Sequence, residues 1–221
     1  MDSPFPLDRL TCDQIHARLL PAACRRGPVA ELAGAASEPV ERAAVLLPLH
    51  RLQGAWHLVY IRRAERAHDL HSGQVGFPGG RRQAGDPDCI ATALREAQEE
   101  IGLAPERVLV LGQLRPMLTV SRFLVTPVVG CIPWPQPLVP DPREVARIFS
   151  IPLAWLGEHA HRRVRPYPHP DHPQARALIF FDDYDGETLW GVSARMTVDF
   201  LSCLEQSLGT GVAPEPPPDC G

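Results

Sequence analysis

The 221-residue chain contains no lysine and no asparagine, so all 22 of its basic residues are arginine. Losing both residue types together is the signature expected of GC-rich coding, and it means that every cationic contact must be made by a guanidinium. A strong excess of either charge is also missing: 22 basic against 26 acidic residues leave a net charge of −4. That balance offers no general attraction to nucleic acid or to an anionic membrane, so a polyanionic ligand would have to be met by local cations. No run approaches the ~18 consecutive apolar residues of a membrane-spanning helix, and the start, Met1-Asp2-Ser3-Pro4, lacks the basic and apolar regions of a signal peptide. Cysteine is sparse and scattered: Cys12, Cys24, Cys89, Cys131, Cys203 and Cys220 form no C-x-x-C pair. The expectation is reduced thiols in a cytoplasmic protein.

What is present is ordinary globular material, 44% hydrophobic and 22% charged, with an excess of proline. The length fits one domain or two. Residues 7–20 carry apolar residues at loosely helical spacing up to Pro21, and residues 27–39 are rich in Gly, Ala and Pro, as a linker would be. Two apolar runs, 43–49 and 56–61, flank Gln53-Gly54 as a hairpin would. Further strand-like runs lie at 108–111, 124–131 and 177–181. Helical patterns cover 87–101, 142–148 and 193–208, and the Pro-rich end from 209 is expected to be disordered. Strands interleaved with a few helices predict an α+β architecture, a mixed sheet flanked by helices.

One segment stands apart. Gly73-Gln74-Val75-Gly76-Phe77-Pro78-Gly79-Gly80 leads into Asp86-Pro87 and then into Leu94-Arg95-Glu96-Ala97-Gln98-Glu99-Glu100-Ile101-Gly102-Leu103. Glycines permit a tight loop, Asp86 can cap a helix begun by Pro87, and Gly102 suits the left-handed residue that ends one. At about 100° per residue, Glu96, Glu99 and Glu100 share one helical face, while Ile90, Ala93, Leu94, Ala97 and Ile101 share its neighbour. Like charges three and four residues apart destabilise a bare helix. A cation would compensate them, and hard oxygen ligands favour Mg²⁺ or Mn²⁺, ions that bind phosphate oxygens as well. Arg95 lies close enough to hold a glutamate in place. The alternative for an arbitrary E-x-x-E-E is a solvated helix face.

These residues resemble the Nudix box, R-E-U-x-E-E-x-G-U after a Gly-rich lead-in, where U is a bulky aliphatic residue. Arg95, Glu96, Glu99, Glu100, Gly102 and Leu103 match, with Ala97 at the first U. The spacing from Gly80 to Arg95 is one residue longer than the general pattern, and the early acid is Asp86 instead of Glu, read here as a helix cap. The longer spacing and the Gly73 to Gly80 lead-in are similar to the coenzyme A pyrophosphatase branch. So are Thr126-Pro127-Val128-Val129, Glu144-Val145, Ile151-Pro152-Leu153 and Leu189-Trp190-Gly191-Val192-Ser193-Ala194-Arg195.

The resemblance implies an α/β/α sandwich of the Nudix fold, with a loop-helix-loop catalytic motif. It divides the chain into an N-terminal helix and linker (1–40), a hydrolase domain (41–208) and a Pro-rich tail (209–221). It implies Mg²⁺- or Mn²⁺-dependent hydrolysis of coenzyme A or its derivatives to 4′-phosphopantetheine and adenosine 3′,5′-bisphosphate. Glu96, Glu99 and Glu100 would be metal ligands, and Glu99, Glu100, Arg95 and Glu144 catalytic residues, with Glu144 otherwise an ordinary first-turn helix acid. Arg62, Arg63, Arg66, Gln74, Phe77, Gly79 and Gly80 would bind substrate. Arg162, Arg163 and Arg165 form a second basic cluster. His159, His161, His169 and His172 read as an exposed loop, lacking zinc-site spacing, and nothing activates Cys89. The partner is a small nucleotide, with no nucleic acid or membrane and a homodimer left open. The alternatives are a Nudix hydrolase of another nucleoside diphosphate derivative (a dinucleotide, sugar nucleotide or capped RNA) and a non-catalytic binding module of the same fold.

Overall fold

The computed structural model describes residues 7–20, 40–65, 72–169 and 172–205, with the side chains of 168–169 and 172–176 left out. Arg66, Cys24, Cys220, the linker and the Pro-rich tail therefore lie outside the described residues, as do the side chains of His169 and His172.

The strands are β1 (Glu41–Leu52), β2 (Ala55–Arg63), β3 (Val75–Gly76), β4 (Gly79–Arg81), β5 (Leu109–Gln113), β6 (Met117–Leu118), β7 (Phe123–Cys131), β8 (Val145–Pro152), β9 (Arg162–His169) and β10 (His172–Phe181). The α-helices are α1 (Cys12–Leu19), α2 (Cys89–Ile101), α3 (Leu153–Gly157) and α4 (Gly191–Glu205). β1 to β8 form one sheet in the order β3-β2-β1-β7-β5, with β4 beside β1, β6 beside β7 and β8 beside β2. β1 runs parallel to β7 and antiparallel to β2 and β4, so the sheet is mixed as expected. The long apolar runs of β1 and β2 are buried along both faces, which is why they lack a polar alternation. Gln53 and Gly54, at φ 52° and 88°, make the tight turn that a two-residue hairpin requires.

Each face of the sheet carries its own core. Leu58, Tyr60, Leu47 and Leu49 pack with Ile15, Leu19, Leu153, Phe200 and Leu204 on one face. Val59, Ile61, Ala44 and Leu46 pack with Ala93, Ala97 and Ile101 of α2 on the other. This is a three-layer α/β/α arrangement, and alternation along β2 decides which layer each side chain serves.

Three expected elements differ. The N-terminal helix is split into a short 3₁₀ turn, Leu7–Arg9, and α1, because Thr11 and Gln14 form a reciprocal capping box that fixes the start of α1 at residue 12. The helix expected at 142–148 is strand β8. Val145, Phe149 and Ile151 are buried at strand spacing and β8 pairs with β2 from Arg63 to His57, so the tertiary ladder overrides the local pattern. The histidine stretch is not a loop: His159–His161 is a 3₁₀ turn and β9 pairs with β10. His161 stacks on Trp155 at 4.3 Å between the carboxylates of Glu158 and Asp182. Cys12, Cys89 and Cys131 are free. Cys203 is disulfide-bonded, a correction to the expectation of reduced thiols throughout. Among the described residues no helix is long and apolar enough to cross a membrane.

His50, fully buried on β1, stacks on Trp134 at 4.0 Å and on His57 at 5.2 Å, and neither ring nitrogen makes a hydrogen bond. Burial, helped by the charge of His57, pushes its pKa down from 6.5 to about 4. Below its unfolded pKa the unfolded chain takes up a proton that the native state refuses, so stability falls as pH drops from 6.5 towards 4. His50→Phe is expected to raise neutral-pH stability by about 1–3 kcal/mol, the cost of a buried unsatisfied polar group. Denaturant melts across that pH range should show a shallower acid loss in the variant, and an unchanged slope would refute the assignment.

Candidate active site

The carboxylates are placed by the two ends of α2. Asp88, not Asp86, is its N-cap: Asp88 Oδ1 accepts the Ala91 N–H at 2.8 Å. Gly102, at φ 66°, closes the other end: its N–H donates to the Gln98 carbonyl at 3.1 Å and the Leu103 N–H to the Ala97 carbonyl at 3.3 Å. The helix therefore starts two residues later than the sequence suggested, which frees Asp86 for a different task. Its carboxylate accepts from Arg95 Nε at 3.0 Å and Nη2 at 2.9 Å, from Thr92 Oγ1 at 3.0 Å and from the Gln83 N–H at 2.9 Å. The Arg95 hydrogen bonds are the main reason that Asp86 is held well below the usual carboxylate range.

Arg95 is the hub of the motif. Beyond Asp86, its Nη1 donates to Glu96 Oε1 at 2.9 Å and to Glu99 Oε2 at 3.0 Å, and its Nη2 donates to the Arg81 carbonyl at 3.0 Å. The expected role of holding a glutamate is thus filled twice over, and the same fork ties the lead-in strand and the loop to the helix.

Glu96 and Glu100 face β4. Glu100, 2% exposed, accepts the Gly79 N–H at 2.9 Å. A Cβ on Gly79 would sit 2.4 Å from the Ala44 carbonyl oxygen, so that position admits only glycine, and one on Gly80 would sit 2.6 Å from the Glu96 carboxylate and displace it. Burial pushes the Glu100 carboxyl up to about 7, against the opposing pull of the Gly79 N–H and of Arg63, with Glu96 and Glu144 adding to the rise. Glu96 is raised chiefly by burial, which Arg95 opposes and Glu99 and Glu144 reinforce. Glu99 differs: its side chain is 56% exposed and turned to Arg95.

Glu144 is not a helix acid. Asp141-Pro142-Arg143-Glu144 forms a turn closed by the Glu144 N–H to Asp141 carbonyl bond at 2.9 Å, anchored to α2 by the Asp141 N–H to the Glu100 carbonyl at 2.9 Å and to β2 by the Ala64 N–H to the Glu144 carbonyl at 2.8 Å. That anchoring brings Glu144 to the electrostatic neighbourhood of Glu96 and Glu100.

The adjacent arginines separate. Arg63 follows Ile61 on the α2 face and acts on Glu100. Arg62 follows Tyr60 on the opposite face, 3.6 Å from the buried Glu187, which also accepts from Arg147 Nη1 at 3.0 Å. Glu187 and Arg147 carried no sequence signal, because their pairing depends on β2 and β8 lying side by side. The Gln74 carbonyl accepts the Arg63 N–H at 3.0 Å, which fixes the end of β2. Phe77 is buried in the core and stacked on Tyr60 at 4.7 Å. Arg162, Arg163 and Arg165 lie on β9, in the separate two-stranded sheet with β10.

Hard carboxylate oxygens facing a floor without side chains suit a divalent cation and a phosphate drawn close to the backbone. Among the described residues no three His, Cys, Asp or Glu side chains converge on one point. Glu96 and Glu100 offer two hard carboxylate donors, a set that fits a divalent cation completing its shell with water and phosphate oxygens.

The sequence model of the NUDIX domain matches residues 40–171. The human "Mitochondrial coenzyme A diphosphatase NUDT8" is 35% identical over 82% of this chain and 76% of its own length. The "Uncharacterized Nudix hydrolase NudL" of Pectobacterium atrosepticum is 43% identical over 58% of this chain and 67% of its own length. A solved structure of a MutT/nudix family protein from Enterococcus faecalis overlays 75% of this chain and 62% of that one at 15% identity, with a TM-score of 0.49.

Proposed function

Because the chain belongs to the NUDIX family of hydrolases, we propose that it cleaves the diphosphate bond of coenzyme A or its derivatives, with Mg²⁺ or Mn²⁺ held by Glu96 and Glu100. The products are 4′-phosphopantetheine and adenosine 3′,5′-bisphosphate. The observation that carries this reading is the buried Glu100 and the partly buried Glu96 facing Gly79 and Gly80, with Arg63 and Glu144 in their electrostatic neighbourhood. The coenzyme A lead-in and the similarity to a relative named as a coenzyme A diphosphatase support the substrate.

A divalent cation held by Glu96 and Glu100 would supply acidification of a water and charge stabilisation at the phosphoryl oxygens. Gly79 and Gly80 let the β1 backbone and the Glu96 carboxylate approach this strand closely, which holds the carboxylates together. Arg95 fixes the rotamer of Glu96, so that its carboxylate is preorganised and not reoriented during turnover. Arg63 supplies the positive charge on this face of the sheet, and its fork suits a phosphate oxygen pair. Glu144 and Glu99 are the two carboxylates we assign to proton removal, Glu144 from within the cluster and Glu99 from its exposed rim. The catalytic unit we assign is 41–208. The free Cys12, Cys89 and Cys131 support a cytoplasmic setting, and the bonded Cys203 stands against it.

Coenzyme A incubated with the protein and Mg²⁺ or Mn²⁺ is expected to give both products by mass spectrometry, and neither in excess chelator. Cleavage of other dinucleotides or of sugar nucleotides with coenzyme A left intact would overturn the substrate assignment.

A further inference from the structure

The strand that floors the carboxylate cluster does not end there. Gly79 and Gly80 run directly into Arg81 and Arg82, and the Arg82 N–H donates to the Arg42 carbonyl at 2.9 Å, joining this strand to the start of β1. Between them lies an open groove of about 580 Å³ lined by Glu41, Arg42, Arg81, Arg82, Gln83 and Ala84. Three guanidinium groups face one carboxylate here, on a chain whose net charge is −4.

Two of those cations are held in place. Arg82 donates from Nε and Nη2 to the Asp86 carbonyl at 3.2 and 3.0 Å and from Nη2 to the Pro87 carbonyl at 2.8 Å. Arg81 lies 4.9 Å over the Phe123 ring, its Nε 3.2 Å from Glu41, and its own carbonyl is tied to Arg95. Arg42 is exposed. The groove is thus anchored to the same arginine that orients Glu96, and Arg82 is two strand residues, about 7 Å, beyond Gly80.

We propose that this groove binds a phosphate monoester carried on the ribose of the substrate, so that it selects coenzyme A over its dephospho form; the substrate named here rests on the function proposed above. A phosphate monoester carries nearly two negative charges at neutral pH, which matches the local surplus of two cations. Guanidinium forks match its oxygens in geometry as well as charge. Glu41 opposes that binding, because it competes for Arg81.

The test is calorimetric titration of the metal-free protein with adenosine 3′,5′-bisphosphate and with adenosine 5′-monophosphate, in the wild type, Arg42→Ala and Glu41→Gln. One charge-assisted contact supports an expectation of about tenfold tighter binding of the bisphosphate by the wild type. Arg42→Ala should remove most of that advantage, and Glu41→Gln should widen it. Equal affinity for the two nucleotides in the wild type, or an advantage unchanged in both variants, overturns the proposal. In turnover, the ratio of kcat/KM for coenzyme A to that for dephospho-coenzyme A should fall about tenfold in Arg42→Ala, in line with the same contact. A wild type that hydrolyses neither compound defeats the proposed function, and the titration still decides the groove.

Discussion

Glu100→Gln is expected to lower metal-dependent hydrolysis by about a thousandfold or more, roughly 4 kcal/mol of transition-state stabilisation, while making the metal-free protein more stable at neutral pH. The two effects share one cause. A carboxylate that is 2% exposed, with one backbone N–H and a neighbouring arginine to hold it, is a poor resting place for a negative charge unless a cation is present. Its native pKa of about 7 lies above the ordinary value near 4.5. Between those values the native state holds a proton that the unfolded chain has lost, so without metal stability falls as pH rises from 4.5 to 7. The full cost above pH 7 is about 3 kcal/mol. Glutamine keeps an oxygen to accept the Gly79 N–H and carries no charge, so the variant should lose this slope. Melting curves in chelator from pH 5 to 8 give the comparison, and adding Mg²⁺ or Mn²⁺ should stabilise the wild type far more than the variant. Because the ion must displace that proton, wild-type metal affinity should also climb with pH up to about 7. Wild-type turnover in Glu100→Gln, or metal-free curves that coincide, would remove Glu100 from the metal site. His50 has the opposite sign over an overlapping window, pH 4 to 6.5, so a His50→Phe background removes its contribution and leaves the Glu100 slope alone.

How much of this was legible in the sequence follows from the range over which each residue acts. Glu96, Glu99 and Glu100 sit three and four residues apart on one helix, so their shared face follows from helical geometry alone. The hairpin around Gln53-Gly54 was equally local. What the sequence hid depends on which strand lies beside which. Residues 142–148 carry a pattern that a helix could use, and only the ladder with β2 makes them β8. The same ladder separates Arg62 from Arg63: neighbours in the sequence, they serve opposite faces, one beside Glu187 and the other beside Glu100. Phe77 has the glycine neighbours of a binding loop, yet just past β3 it packs with Val75 into the core and stacks on Tyr60. Asp86 was misread for a subtler reason. Asp86-Pro87-Asp88 offers two acids within reach of a helix start, and Arg95, nine residues on, decides between them by claiming the first.

That claim supports the second large effect. Arg95→Lys is expected to cost about a hundredfold in kcat/KM, the scale seen when a group orienting a metal ligand is lost, and to destabilise the fold by about 1–3 kcal/mol, the scale of charge-assisted hydrogen bonds lost while the charge remains. Lysine keeps the charge, so a purely electrostatic role would survive the change. It cannot keep the geometry: the guanidinium serves Asp86 from two nitrogens, Glu96 and Glu99 from a third contact point and the Arg81 carbonyl from its far side, all in one plane. An ammonium reaching Asp86 leaves Glu96 unheld, and one reaching Glu96 leaves Asp86 buried with Thr92 and the Gln83 N–H alone. Asp86→Asn supplies the partner measurement. If Asp86 acts through Arg95, the double variant should be little worse than Arg95→Lys alone, giving a coupling of 2 kcal/mol or so in stability. The kinetic split separates positioning from simple loss of fold. With Glu96 misoriented and the substrate-facing Arg63 intact, kcat should fall while KM for coenzyme A moves by less than about threefold, and raising the Mg²⁺ or Mn²⁺ concentration should recover part of kcat. Additive losses in the double variant, or a defect confined to KM, would show that Arg95 does not orient the carboxylates.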